Sequence, residues 1–238
     1  MNQTQYVCDP ETGLCHPVDA ASTVNQTVEE KDEGKELIYV GDPMCSWCWG
    51  IANHLRQLKD HYAQFKFSIL VGGLRPGGGD PWNDEMKAFL KHHWDEVNKR
   101  SGQPFGTRLF ELAEFNYDTE PACRAVVAAR QWMGPYEFEF YEAVTRKFYV
   151  ENEDPKQEAF YESICQQFAI PYQDFITAFN SDAVKQNTQA EFVVNRNWGV
   201  KGYPTILLRV NQELFQVSHG YADFETMQAV VERVLQSA

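Results

Sequence analysis

Two cysteines separated by two residues, in Cys45-Ser46-Trp47-Cys48, carry the plainest chemistry in this 238-residue chain. An apolar run, Leu37 to Val40, precedes them and reads as a short strand. After them Cys48, Ile51, Ala52, Leu55, Leu58 and Tyr62 recur at helical spacing. The pair therefore falls where a strand ends and a helix begins. The first turn of a helix has unpaired N–H groups and a partial positive charge. A thiol placed there gives up its proton more readily, and thiolate is the reactive form of cysteine. The pattern predicts thiol–disulfide exchange, with Cys45 attacking a disulfide and Cys48 resolving the product. The competing chemistry is metal binding, in which Cys8, Cys15, Cys45 and Cys48 supply four thiolates to zinc. Six residues separate Cys8 from Cys15, whereas zinc pairs are usually spaced by about two to four. Exchange is the stronger expectation, and no metal or other cofactor is assigned.

The remaining cysteines divide in two. Cys8-Asp9-Pro10-Glu11-Thr12-Gly13-Leu14-Cys15 holds a turn signal that could bring its ends together. It reads as an auxiliary redox pair, as half a metal site or as two unrelated thiols. Cys123 and Cys165 lie in helical patterns at positions expected to be buried, where thiols are usually inert. The glycine-rich stretch Gly72 to Gly79 lacks the spacing of a phosphate-binding loop and reads as an exit from a strand.

Composition narrows the partners. The 21 basic and 34 acidic residues give a net charge of −13, which argues against general binding to nucleic acid or anionic membranes. No apolar run approaches the ~18 residues that a membrane span needs. The N-terminus lacks the basic start and apolar run of a secretory signal, so a cytoplasmic location is expected. In a reducing compartment a close cysteine pair is more often catalytic or metal-binding than structural.

The elements that must position the pair follow in order. Residues 1–35 read as a polar, flexible tail. Phe65, Phe67, Ile69 and Val71 alternate with polar or smaller neighbours and predict a second strand, parallel to the first across the helix. Residues 82–198 turn helical. Met86, Phe89, Leu90, His93, Trp94 and Val97 share one expected face, and Asp118-Thr119-Glu120-Pro121 opens a further helix. Arg124 could hold a carboxylate between this lobe and the core, although an ordinary structural role is the stronger reading. Phe105, Phe110, Phe115 and Tyr117 could line a groove but are more often core. Thr205 to Val210 and Glu213 to Val217 predict a hairpin about Asn211-Gln212, and Asp223 caps a last helix. Removing the helices leaves a small α/β unit, 36–81 with 199–238.

This arrangement resembles the thioredoxin fold interrupted by a helical insertion, as in the DsbA-like family. The resemblance covers residues 36 to 237. Cys45-Ser46-Trp47-Cys48, Gly202-Tyr203-Pro204-Thr205 and Asp118-Thr119-Glu120-Pro121-Ala122-Cys123-Arg124 carry it. With Asp42-Pro43-Met44 and Trp49-Gly50, the chain is similar to the cytoplasmic branch of predicted protein-disulfide isomerases. The resemblance implies a cis bond before Pro204, beside the cysteines. It implies a substrate edge formed by Trp47, Tyr203, Pro204 and Thr205, with Pro43, Met44, Ser46 and Trp49 as active-site neighbours. It also implies disulfide- or dithiol-containing protein or peptide substrates, with glutathione or thioredoxin as electron partner. Many such proteins carry a buried acid six residues before the first cysteine; here that position is Tyr39, so the proton acceptor for Cys48 is unassigned. The Ser46-Trp47 dipeptide lacks the histidine of strongly oxidising members, so a less oxidising pair is expected. Two rival functions share the fold or its surface: isomerase or transferase chemistry on a glutathione conjugate, and passive peptide binding.

Overall fold

The computed structural model describes the backbone of residues 6–8, 15–17 and 32–237 and the side chains of residues 34–237. Strands β1 (Tyr6–Cys8) and β2 (Cys15–Pro17) pair antiparallel with Cys8 directly opposite Cys15. The rest of the expected tail, and the side chains of both cysteines, lie outside the described residues.

A four-stranded sheet forms the centre, built from β3 (Asp32–Gly41), β4 (Phe65–Val71), β5 (Thr205–Val210) and β6 (Glu213–His219) in the order β4-β3-β5-β6. β3 pairs parallel with β4 and antiparallel with β5. The β3 strand begins at Asp32, earlier than the apolar run at Leu37 implied, and its register with β4 shifts between Asp32 and Glu36. Charged residues can extend an inner strand here because Glu36 is paired with Lys66 and Arg209. Asn211 takes the left-handed conformation in the two-residue hairpin turn, a conformation asparagine tolerates.

Helix α1 (Ser46–His61) links β3 to β4 and buries Cys48, Trp49, Gly50, Ile51, Ala52, Leu55 and Leu58. The lobe comprises α2 (Asp84–Ser101), α3 (Glu120–Met133), α4 (Glu137–Arg146), α5 (Glu162–Gln167), α6 (Tyr172–Asn180) and α7 (Asp182–Asn197); α8 (Phe224–Ser237) closes the chain. α1 and α2 approach closely: a Cβ on Gly50 would sit 2.8 Å from a Val97 methyl, so only glycine fits at that crossing. On α2, Leu90, Trp94 and Val97 are buried as expected, but Phe89 is 49% exposed. The apolar stripe is narrower than the spacing suggested: Val97 meets α1 and Trp94 packs on Phe105, Phe110 and Tyr149, while Phe89 falls outside both contacts.

Lobe and sheet share one continuous hydrophobic core, which runs from Leu37, Tyr39 and Ile206 through α1 to Phe138, Tyr141 and Val144 of α4. Phe115 and Tyr117 belong to it, and Phe105 and Phe110 pack against it around Trp94. A π-helical turn, Lys147–Glu151, continues α4 and buries both Phe148 and Tyr149. Arg124 does not bridge to the sheet. It pairs with Glu120 on its own helix at 3.1 Å and lies 4.1 Å over the Phe179 ring, because α3 is buried nearly all round and Arg124 emerges inside the lobe.

Candidate active site

The chain leaves β3 at Gly41 and enters α1 within four residues, Asp42 to Cys45. Asp42 organises that turn. Its buried carboxylate accepts from the Met44 amide at 2.8 Å, the Leu74 amide at 2.6 Å and the Cys123 thiol at 3.4 Å. Burial pushes the Asp42 carboxyl up, and these donors together with Thr119 pull it back. Asp42 thus ties the start of α1 to the glycine-rich loop and to α3. Met44 is held from the other side, where the Tyr117 hydroxyl donates to its carbonyl at 2.9 Å. Pro43 is buried in the same turn.

Cys45 is the N-cap residue of α1, with no side chain capping that end. Its thiol lies 3.5 Å from the Tyr203 carbonyl oxygen, and the Tyr203–Pro204 bond is cis. Cys45 and Cys48 are both free thiols; Cys45 is 6% exposed and Cys48 only 1%. Burial pushes the Cys48 thiol well up and the neighbouring Cys45 adds to this, while the Tyr39 hydroxyl and the Asp42 main-chain amide pull it back. The sulfur nearer the surface is therefore suited to attack, and the sulfur behind it to a second, intramolecular step.

The other expected residues fall around the pair. Ser46 and Trp47 are half-buried on the first turn of α1. The Trp47 ring lies 5.8 Å from that of Tyr221. A cleft of about 580 Å³ opens there, lined by Trp47, Glu96, Lys99, Arg100 and Tyr221. Trp49 is buried, and its indole donates to the Pro104 carbonyl at 3.0 Å. The Tyr203 hydroxyl donates to the Gly72 carbonyl at 2.6 Å, which holds the 202–204 turn against the exit of β4. Thr205 is 1% exposed and its hydroxyl donates to the Gly202 carbonyl at 2.8 Å, so its side chain is spent within the turn.

Several residues of the site carried no signal that singled them out. Asp42 was seen only as part of a motif. Tyr141 and Tyr149 sit far along the chain in helices that read as core. The Tyr39 and Tyr141 hydroxyls are 3.2 Å apart, and those of Tyr117 and Tyr149 3.5 Å. These four buried phenols form two hydroxyl pairs, and Tyr117 also holds the Met44 carbonyl just before the cysteines. Cys123 and Cys165 are fully buried, and burial pushes both thiols up, Cys165 to about 12. Among the described residues, no group of three or more histidine, cysteine or acidic side chains could hold a metal ion. No described helix is long and apolar enough to cross a membrane.

Comparison with known families and structures matches residues 36–232 to the DSBA-like thioredoxin domain. A Nitrosomonas europaea protein described as a candidate protein disulfide isomerase superposes with a TM-score of 0.78 at 36% identity, covering 86% of this chain and 99% of its own. The cytosolic disulfide reductase DsbM of Pseudomonas aeruginosa has a TM-score of 0.69 at 20% identity, over 85% of this chain and 100% of its own. A 2-hydroxychromene-2-carboxylate isomerase has a TM-score of 0.61 at 14% identity, over 85% of this chain and 97% of its own. Comparison with curated proteins returned no match.

Proposed function

We propose, from the premise that this chain belongs to the DSBA-like thioredoxin-domain family, that it exchanges disulfides through Cys45 and Cys48. The observation that carries the reading is the layering of the pair: Cys45 at the helix start against the Tyr203 carbonyl, and Cys48 buried one turn behind it. The Cys45 thiolate attacks a substrate disulfide, joins one sulfur and releases the other as a thiolate. Cys48 then attacks Cys45, and the substrate leaves reduced. The reverse sequence oxidises a dithiol, and the direction depends on the thiol pool.

The substrate edge is the turn at Tyr203-Pro204, with Trp47 as an apolar platform across from it. The Lys99 and Arg100 side chains in the cleft beside Trp47 suit the carboxylates of a peptide or of glutathione. The structure of DsbM with GSH, similar at a TM-score of 0.68 and 18% identity, supports glutathione as electron partner. A cytoplasmic location fits this reading. Cys8 and Cys15 form a candidate auxiliary pair: directly opposed antiparallel residues have Cα atoms about 4.5–5.5 Å apart, within reach of a disulfide.

Trapping tests the assignment. With a disulfide-bearing peptide, Cys48→Ala should accumulate a stable mixed disulfide and Cys45→Ala none. A stable complex on Cys45→Ala would reverse the two roles, and none on either variant would remove the exchange reading.

A further inference from the structure

We infer that the Tyr39 hydroxyl is a catalytic hydrogen-bond donor to the Cys48 sulfur while the mixed disulfide is resolved, held in that role by the Tyr141 hydroxyl. The inference rests on the Cys45–Cys48 reading above.

The argument begins with what surrounds the sulfur. The polar groups that act on the Cys48 sulfur are the Tyr39 hydroxyl from β3, the Cys45 thiol and the Asp42 main chain. The Asp42 carboxylate is the nearest acid along the chain, but it is committed to the Met44 and Leu74 amides, Thr119 and Cys123. On the lobe side the polar group facing this place is the Tyr141 hydroxyl of α4, 3.2 Å from that of Tyr39. Tyr39, Tyr141 and Cys48 are each about 1% exposed, so bulk water does not serve this sulfur directly. A phenol donates one hydrogen and accepts another. When Tyr141 donates to Tyr39, the Tyr39 hydrogen is free for Cys48.

The strand is shaped for this contact. Tyr39 and Gly41 lie on one face of β3, and a Cβ on Gly41 would collide with the Tyr39 ring and hydroxyl. Glycine at 41 therefore lets the phenol lie along the strand toward the helix start.

The chemistry follows from the group. Burial and the adjacent Cys48 both push the Tyr39 phenol well above its ordinary range, so it keeps its proton and serves as donor rather than base. In resolution the Cys48 thiol gives up its proton, and its sulfur lone pair forms the bond to the Cys45 sulfur. The bond between Cys45 and the substrate sulfur breaks, and its electron pair leaves on the substrate. The departing substrate sulfur takes up the proton that Cys48 gives up, so the step neither gains nor loses one. Over both steps the two cysteines lose two electrons and the substrate disulfide gains them. Tyr39 supplies a hydrogen bond that strengthens as negative charge grows on Cys48, and no carboxylate is needed.

A single turnover of the full chain with an aromatic disulfide gives two thiol bursts, the first from Cys45 attack and the second from resolution. Tyr39→Phe should leave the first burst unchanged. It should slow the second by about tenfold or more, the worth of one hydrogen bond to a charged group, and move the pH midpoint of that phase upward. Tyr141→Phe should slow the second burst less, with the same direction of shift. Tyr39→Phe/Tyr141→Phe strands no hydroxyl, so it carries the test if the single variant folds poorly. It should stay slow in the second burst only. An unchanged second burst and pH midpoint in folded variants, or equal slowing of both bursts, overturns the inference. Two bursts surviving in Cys48→Ala would instead overturn the assignment of Cys48, a separable result.

Discussion

The helical lobe meets the sheet at two junctions built from opposite materials. At the cysteines the contact is neutral: the phenols of Tyr39 and Tyr141 meet edge to face, with ring centroids 5.4 Å apart. At the outer strand the contact is ionic. Arg130 of α3 pairs with Glu137 of α4 at 2.6 Å and with Glu191 of α7, and donates to the Ile69 carbonyl at 3.0 Å. Glu191 in turn accepts from the Val71 amide at 2.8 Å. The difference follows from what each place must endure. In the proposed exchange, charge appears and disappears on sulfur at the first junction, and neutral phenols can follow it by hydrogen bonding. The second junction takes no part in the proposed cycle, so its charges can stay paired while the sulfurs react.

Substitutions can break that contrast. The largest effect is expected from Arg130→Ala, which leaves two acids facing each other under the lobe. Removing one partner of a buried ion pair costs about 3–5 kcal/mol. The Arg130 side chain is 31% exposed, so the lower end applies, about 3 kcal/mol. Denaturant unfolding measures this, and the two thiol bursts of the molecules still folded should be unaltered. A loss under about 1 kcal/mol would mean that solvent screens the ionic junction after all. Tyr141→Phe should cost less, about 1 kcal/mol for one neutral hydrogen bond, and the cost should be the same from pH 5 to pH 9. A cost that grew with pH would show that the phenol junction carries charge.

The smallest effect is one of shape. Burial raises the Glu137 carboxyl to about 7, although Arg130 pulls it down. Its unfolded value is about 4.3. A carboxyl raised on folding binds its proton more tightly in the native state. Its contribution to stability is therefore full below the unfolded value and is lost as pH rises through about 7. Glu137→Gln should flatten stability against pH between those limits. Glu142 is raised in the same direction, also to about 7, so some slope should remain. An unchanged profile in Glu137→Gln would assign the slope to Glu142.

What could be read from the sequence was what short stretches encode. The cysteine pair between a strand and a helix, the Asn211 turn and the Asp223 cap depend on neighbours within a few residues. So does the helical character of 82–198. The bond before Pro204 was expected to be cis from a motif, and it is cis. Contacts between distant segments were illegible. Tyr39 and Tyr141 are 102 residues apart; Tyr39 stands out only as the replacement of an expected acid, and nothing in the sequence joins it to Tyr141. Nothing in the sequence singles out Arg130, Glu137 and Glu191 from the other charged residues of the helices. The sequence does not show which face of α3 meets the sheet: Arg124 reads only as a possible bridge, with an ordinary structural role the stronger reading, and it is Arg130 that reaches the sheet. Phe89 was counted as core by spacing alone, which cannot tell a wide helix contact from a narrow seam.

The grip on β4 has a consequence for where a substrate can go. β4 is an outer strand of the sheet, and outer strands invite other chains to add to them. Here Ile69 and Val71 offer no such invitation. The Val71 amide is taken by Glu191, its carbonyl by Asn195 at 2.7 Å, and the Ile69 carbonyl by Arg130. An extended peptide approaching the cysteines is thereby denied a perch on that side, which fits the substrate edge proposed at the Tyr203–Pro204 turn. The same side chains guard the chain against its own copies: with the lobe detached, β4 would become a seam for aggregation.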